Sequence, residues 1–179
     1  MSSLLKLCLA ALLLTSATAC KSKNNADWSK HLQQFQEDYF VFNPSEAAQK
    51  GRHEFDGELP DWSAGGLQKE NAWLSSARTK TLGFDANSLS ATQRFERDYL
   101  LSRIDTEQFW LTDVASPQRN PAYYVGTLDP STYIARPYAP VAVRLKAFIT
   151  YLKAIPAAAA NIRANLHTPL PKTYVSYGL

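Results

Sequence analysis

The sequence predicts an all-α fold, an irregular array of several helices joined by long loops. Apolar residues recur at spacings of three and four through most of the chain, as one face of a helix requires. No stretch of useful length alternates apolar and polar residues, the signature of a half-buried strand. Serine, asparagine, proline and glycine fall where such helices would begin and end. There is no internal repeat, and the only biased tract, four alanines at 157–160, is good helix filler.

The first element is not part of the fold. Leu4 to Leu14 is apolar apart from Lys6 and is followed by the small residues "TSATAC". A bilayer-spanning helix needs ~20 apolar residues, so this shorter run has the form of a secretory signal that is cut away. Ala17, Thr18 and Ala19 before Cys20 resemble the lipobox of bacterial lipoproteins, although leucine is more usual at its first position. In such signals the cysteine is diacylated at sulfur, cleaved before, and acylated at its new amino group. Two or more chains, at ~0.8 kcal/mol per buried CH2, hold a protein stably on a membrane. The other reading is an ordinary signal peptide with Cys20 a stray thiol, which an unmodified N-terminus in mass spectrometry would establish. Cysteine usage fits acylation: Cys8 leaves with the signal, and Cys20 alone cannot form an internal disulfide. The expected division is a signal over 1–19, a tether over 20–27 and a helical region over 28–179. Lys21 is not the aspartate associated with inner-membrane retention, so the default location is the outer membrane, facing the periplasm.

Loss of the signal removes one lysine and no acid, taking the formal charge from +3 to +2. The expected partner is therefore the membrane, through lipidated Cys20, and not a nucleic acid, since no basic stripe exists beyond the short "KSK" of the tether.

Within the helical region, Trp28, Leu32, Phe35, Tyr39 and Phe42 line one helix face, the expected packing face. "NPSEAAQKG" reads as a short helix with Asn43 as N-cap, Pro44 at its first position, Glu46 in a capping box and Gly51 past its end. A long loop over 51–66 follows, of the length that tends to be functional or structured. Leu67, Trp73, Leu74 and Ala77 mark a helix from Leu67 to Thr81. Ser90 with Gln93 opens the strongest helix, carried on by Phe95, Tyr99, Leu100, Ile104, Phe109 and Leu111. Beyond Asp113 the chain loosens into turn residues. A further helix places Val141, Leu145, Phe148, Ile149 and Leu152 on one expected core face, until Pro156 interrupts it. A last helix then covers Pro156 to Leu166.

The stretch "GRHEFDGELPD" holds the densest chemistry. A zinc-peptidase helix of the form HExxH needs a second histidine four residues after the first, and that position is Gly57. Glycines at 51 and 57 and Pro60 speak against any helix there. His31 sits beside the aromatic face, partly exposed, and His167 at a helix C-terminus, where its protonated ring suits the dipole. No histidine pair has metal-ligand spacing, and neither a GxSxG elbow nor a glycine-rich phosphate loop occurs. The sequence thus nominates no catalytic, cofactor-binding or metal residue. Glu54, Asp56, Glu58 and Asp61 are close enough to include a carboxylate pair, but adjacency in a loop is weak ground for acid/base chemistry. Two roles stand for His53, Asp56 and Asp61. In one, the carboxylates accept from turn and helix-start amides while His53 locks the loop onto the helices. In the other, the loop lines a substrate cleft.

Seven ordered fragments, "NPSEAAQKG", "HEFDGELPDWS", "QRFERDYLLSRI", "NPAYY", "RPYAPVAVR", "IPAAAANIRANL" and "PLPKTYVSYG", resemble the N-terminal region of the bacterial domain-of-unknown-function family 885, from about Trp28 to the last residue. The resemblance implies an exported protein, in many members a lipoprotein. It also implies likeness to α-helical zinc metallopeptidases, with an HExxH helix beyond this region and zinc and peptide substrate only in complete relatives. Two readings follow. One is an N-terminal piece of a peptidase-like lipoprotein, inactive by itself, whose missing C-terminal part is its partner and whose absence leaves an apolar patch exposed. The closing "YVSYGL", with Tyr174, Val175, Tyr177 and Leu179 left to be covered, favours it. The other is a self-sufficient small helical lipoprotein that binds a periplasmic partner as a scaffold.

Overall fold

A computed structural model describes residues 26–178, which are mostly helical with no strand among them. The signal, Cys20 and nearly all of the tether lie outside the described residues, as do the side chains of Val175 and Tyr177. Helix α1 covers 26–42, so the last two tether positions, Ala26 and Asp27, are already helical. The remaining helices are α2 (Pro44–Gln49), α3 (Ala64–Leu82), α4 (Ala91–Gln108), α5 (Ser116–Arg119), α6 (Ala122–Val125), α7 (Ser131–Ala135), α8 (Val141–Asn165) and α9 (Lys172–Gly178). No helix among the described residues is long and apolar enough to cross a membrane.

Buried side chains fall into three clusters. Trp28 of α1 packs with Leu74 and Ala77 of α3, Leu89, and Leu100 and Ile104 of α4. Its indole enters because the N–H finds an acceptor, Glu96 Oε2 at 2.8 Å. Trp62, Leu67, Tyr124 and Ala158 form a second cluster, and Tyr133, Ala147 and Tyr151 a third. Each fully buried large side chain contributes roughly 1.5–3 kcal/mol relative to exposure.

The helix ends show which local signals held. Ser90 and Gln93 form the expected reciprocal capping box, satisfying two amides at the start of α4. Asn43 stands at the expected N-cap position of α2 but makes no side-chain cap bond: its Nδ2 donates back to the Tyr39 carbonyl at 3.1 Å, at the end of α1. Glu46 is drawn away from the helix start by the Tyr39 hydroxyl, which donates to it at 2.6 Å. Helix α3 begins at Ala64, earlier than the apolar pattern indicated, because Ser63 Oγ accepts from Gly66 N at 3.0 Å. After Gln108 the chain widens into a π-helical turn, Phe109–Asp113, and the turn-rich stretch beyond it holds the short helices α5 to α7.

Two expectations fail on α8. Pro156 does not interrupt it, since the helix runs unbroken through Val141–Asn165. The proline is exposed, where water can solvate the carbonyl that its missing N–H leaves without a partner. Four of the five residues taken as core are also turned outward: Val141, Leu145, Ile149 and Leu152 are 44–68% exposed, while Phe148 is half-buried against the third cluster and the buried positions are Ala147, Tyr151, Ala158 and Asn165. A small residue is needed at Ala147, where the loop ahead of α3 brings its backbone against the helix, whereas Tyr151 one turn on is accommodated in the third cluster.

Candidate functional site

That loop approaches α8 through Gly57. Its φ of +86° suits only glycine, and a Cβ there would stand 2.7 Å from Thr150 Cβ and 2.9 Å from the Ala147 carbonyl oxygen. The Gly57 amide donates to the Tyr133 hydroxyl at 2.9 Å, tying the loop to α7. Just before it, the HEF segment winds into one 3-10 turn, His53–Phe55, rather than any α-helix.

This turn brings His53 and Asp56 together and sets them against Tyr138, in the link between α7 and α8. His53 Nδ1 lies 3.2 Å from Asp56 Oδ1, and the Tyr138 hydroxyl donates to Asp56 Oδ2 at 2.7 Å. The imidazole lies flat on the Tyr138 ring, centroids 3.8 Å apart and planes 8° from parallel. Burial, then the hydrogen bond to Asp56, raises the Tyr138 hydroxyl far above the usual tyrosine range, so it stays a donor. The Asp56 side chain is 12% exposed and that of His53 38%. The arrangement is a carboxylate-oriented imidazole clamped by an aromatic ring. It fixes a ring and a loop, and the hydroxyl bonded to it is the Tyr138 phenol that donates to Asp56.

Asp61 stands apart from this pair. Its Oδ1 accepts from the Ser63 amide at 3.1 Å, and those bonds from Ser63 hold its carboxyl below the ordinary range. The Gly66 backbone packs directly on Asp61, making the aspartate part of the start of α3. Asp56 takes its bonds from side chains rather than from turn amides. Glu54 accepts from Arg52 Nε at 2.6 Å, while the other end of that guanidinium grips Glu37 of α1 with two bonds at 2.9 and 2.8 Å. Arg52 also lies over Phe40 and Phe55. Sequence reasoning missed Arg52, Tyr133 and Tyr138. Only the arginine, next to the histidine, was near enough in sequence to be noticed.

The other histidines are structural neighbours of packing residues. His31 shares a 2.9 Å hydrogen bond with buried Thr81 and packs against Trp28 and Phe84. Burial, then the charge of Lys80, lowers its pKa. His167 is exposed beyond α8, and its backbone amide donates to the Gln118 carbonyl. The zinc implied for complete relatives has no matching donor set: no group of three or more His, Cys, Asp or Glu converges among the described residues. One carboxyl among the described residues is raised: Glu70 of α3, half-buried, is pushed up to about 7 by burial and then by Glu107.

Residues 44–177 match the family model described as "Bacterial protein of unknown function (DUF885)". Among solved structures, the chain is similar to a candidate lipoprotein of unknown function from Shewanella oneidensis, with a TM-score of 0.71 and 23% identity over 78% of this chain. The likeness supports the helical fold, and the chain spans 26% of the length of that protein. Among curated proteins nothing matches the chain.

Proposed function

The chain belongs to this bacterial family of proteins of unknown function, and from that membership we propose that it is an exported, lipid-anchored helical module, not catalytic by itself, whose α8 face is covered by the larger remainder of a family-length domain. The outward stripe of Val141, Leu145, Ile149 and Leu152 carries the proposal. Spacings of four, four and three put these side chains on one line of the helix, the pattern by which one helix receives another. Covering four half-exposed aliphatic side chains is worth about 4 kcal/mol, enough to favour docking where the partner is tethered in the same chain. The lipobox-like "ATAC" supports the anchor at Cys20, placing the module on a membrane surface with the outer membrane as its default. Zinc and peptide chemistry, where the resemblance implies them, belong to complete relatives.

The test is association of this chain with the remainder of a family-length relative, produced as a separate polypeptide. The two should co-migrate in analytical ultracentrifugation. Leu145→Glu with Ile149→Glu should abolish the complex and leave the far-ultraviolet circular dichroism unchanged. Undiminished association of the double variant would remove α8 from the reading. Metabolic labelling with palmitate tests the anchor separately, and it should be lost in Cys20→Ser.

The three buried clusters favour a second reading, a self-sufficient periplasmic scaffold. Cooperative thermal unfolding of the purified chain without the remainder, and no association with it, would support that alternative.

A further inference from the structure

A cleft of about 520 Å³ opens between α1 and α4, within the size range of small-molecule sites. Buried Leu74, Leu100 and Ile104 lie at its bottom. Phe35 and Tyr39 of α1 and Phe95 and Tyr99 of α4 are among its walls. Phe95 and Tyr99 are 71% and 61% exposed, stacked with centroids 6.3 Å apart, and they serve no core cluster.

The charges in the cleft are unequal. Lys50 is paired with Glu46 at 3.1 Å and Arg103 with Glu107 at 2.6 Å. Glu96 also lines the cleft, and it accepts from the neutral indole N–H of Trp28. With the other carboxylates matched by cations, the charge left over is negative, and it lies in sequence between the two exposed rings. Aromatic faces attract cations for the same electrostatic reason that a carboxylate does. From Glu96 to Glu107 the cleft follows about 16 Å of helix, long enough for an extended apolar tail.

We propose that this cleft binds an amphiphile with one ammonium head and an apolar tail, the head at Glu96 between Phe95 and Tyr99 and the tail over Leu100 and Ile104. An anionic amphiphile would find the same apolar floor and the wrong charge at its mouth. The site is independent of the α8 stripe.

Calorimetric titration of the full chain carrying Cys20→Ser, with dodecylammonium and dodecyl sulfate below their micellar concentrations, tests this. The ammonium should bind saturably at one site, and the sulfate at least tenfold more weakly. Glu96→Gln keeps an oxygen to accept from Trp28 and removes only the charge, so it should fold normally and lose at least tenfold in affinity for the ammonium. Phe95→Ala with Tyr99→Ala, at two exposed positions, should weaken it comparably, and Leu145→Glu should leave it unchanged. Equal binding of both amphiphiles, or full affinity in Glu96→Gln, would overturn the proposal and assign the uptake to apolar adsorption.

Discussion

Replacing Glu70 with glutamine should make the stability of this protein less dependent on pH. The carboxyl sits half-buried on α3, with Glu107 as its unfavourable charged neighbour, and these push it from 4.5 up to about 7. A group whose pKa is raised by folding binds its proton more tightly in the native state. Its favourable contribution is complete below 4.5 and is lost as pH rises through about 7. At about 1.4 kcal/mol for each tenfold change in proton affinity, the span from 4.5 to about 7 corresponds to a ceiling of about 3 kcal/mol. Urea unfolding at pH 5, 6, 7 and 8 measures it. The parent protein should lose stability across this series, Glu70→Gln should lose much less, and the variant should be the more stable by up to that amount at pH 8. His31 acts in the opposite direction. Its lowered pKa favours the folded state above 6.5 and that contribution is lost on acidification, so the comparison of parent and variant, in which His31 is common, isolates Glu70. Parallel pH profiles for the two proteins would refute the assignment of burial as the cause.

Three further substitutions test the loop. Gly57→Ala should cost about 3 kcal/mol, since it combines a left-handed φ with a clash against α8. Gly51→Ala, equally left-handed at φ +91° but with open space around it, should cost about 1 kcal/mol when both variants are compared by urea unfolding. His53→Ala should lose the stacked ring and one hydrogen bond, about 1–2 kcal/mol by denaturant titration, and unaltered stability would mean that the clamp on Tyr138 contributes nothing.

Much of the fold could be read before the structure, because the deciding signals are local. The helical period, the Ser90–Gln93 box and the packing role of Trp28 and Leu32 all act within a few residues. The broken zinc motif was also legible, since Gly57 alone removes the second histidine. What the sequence hid was non-local. Tyr138 meets Asp56 across 82 positions, and no spacing rule anticipates that. The inner face of α8 was misjudged for a related reason. Hydrophobicity ranks leucine and isoleucine above alanine, but the close approach of Gly57 makes Ala147, with Tyr151 one turn on, the inward line of the helix, and Val141, Leu145, Ile149 and Leu152 are turned away. Asn43 does stand at the N-cap of α2, as its sequence context indicates, but its side chain donates to the Tyr39 carbonyl instead of accepting from the helix start.

The three buried clusters meet through very few side chains. Leu111 packs against the first and second, and Leu59 against the second and third. A protein assembled this way resembles beads joined by single links more than one continuous droplet, so a fluctuation that opens the α7–α8 end need not propagate into α1, α3 and α4. Amide protons at the two ends would then exchange with solvent by separate events, and the weaker end would set how readily the chain is cut by a protease.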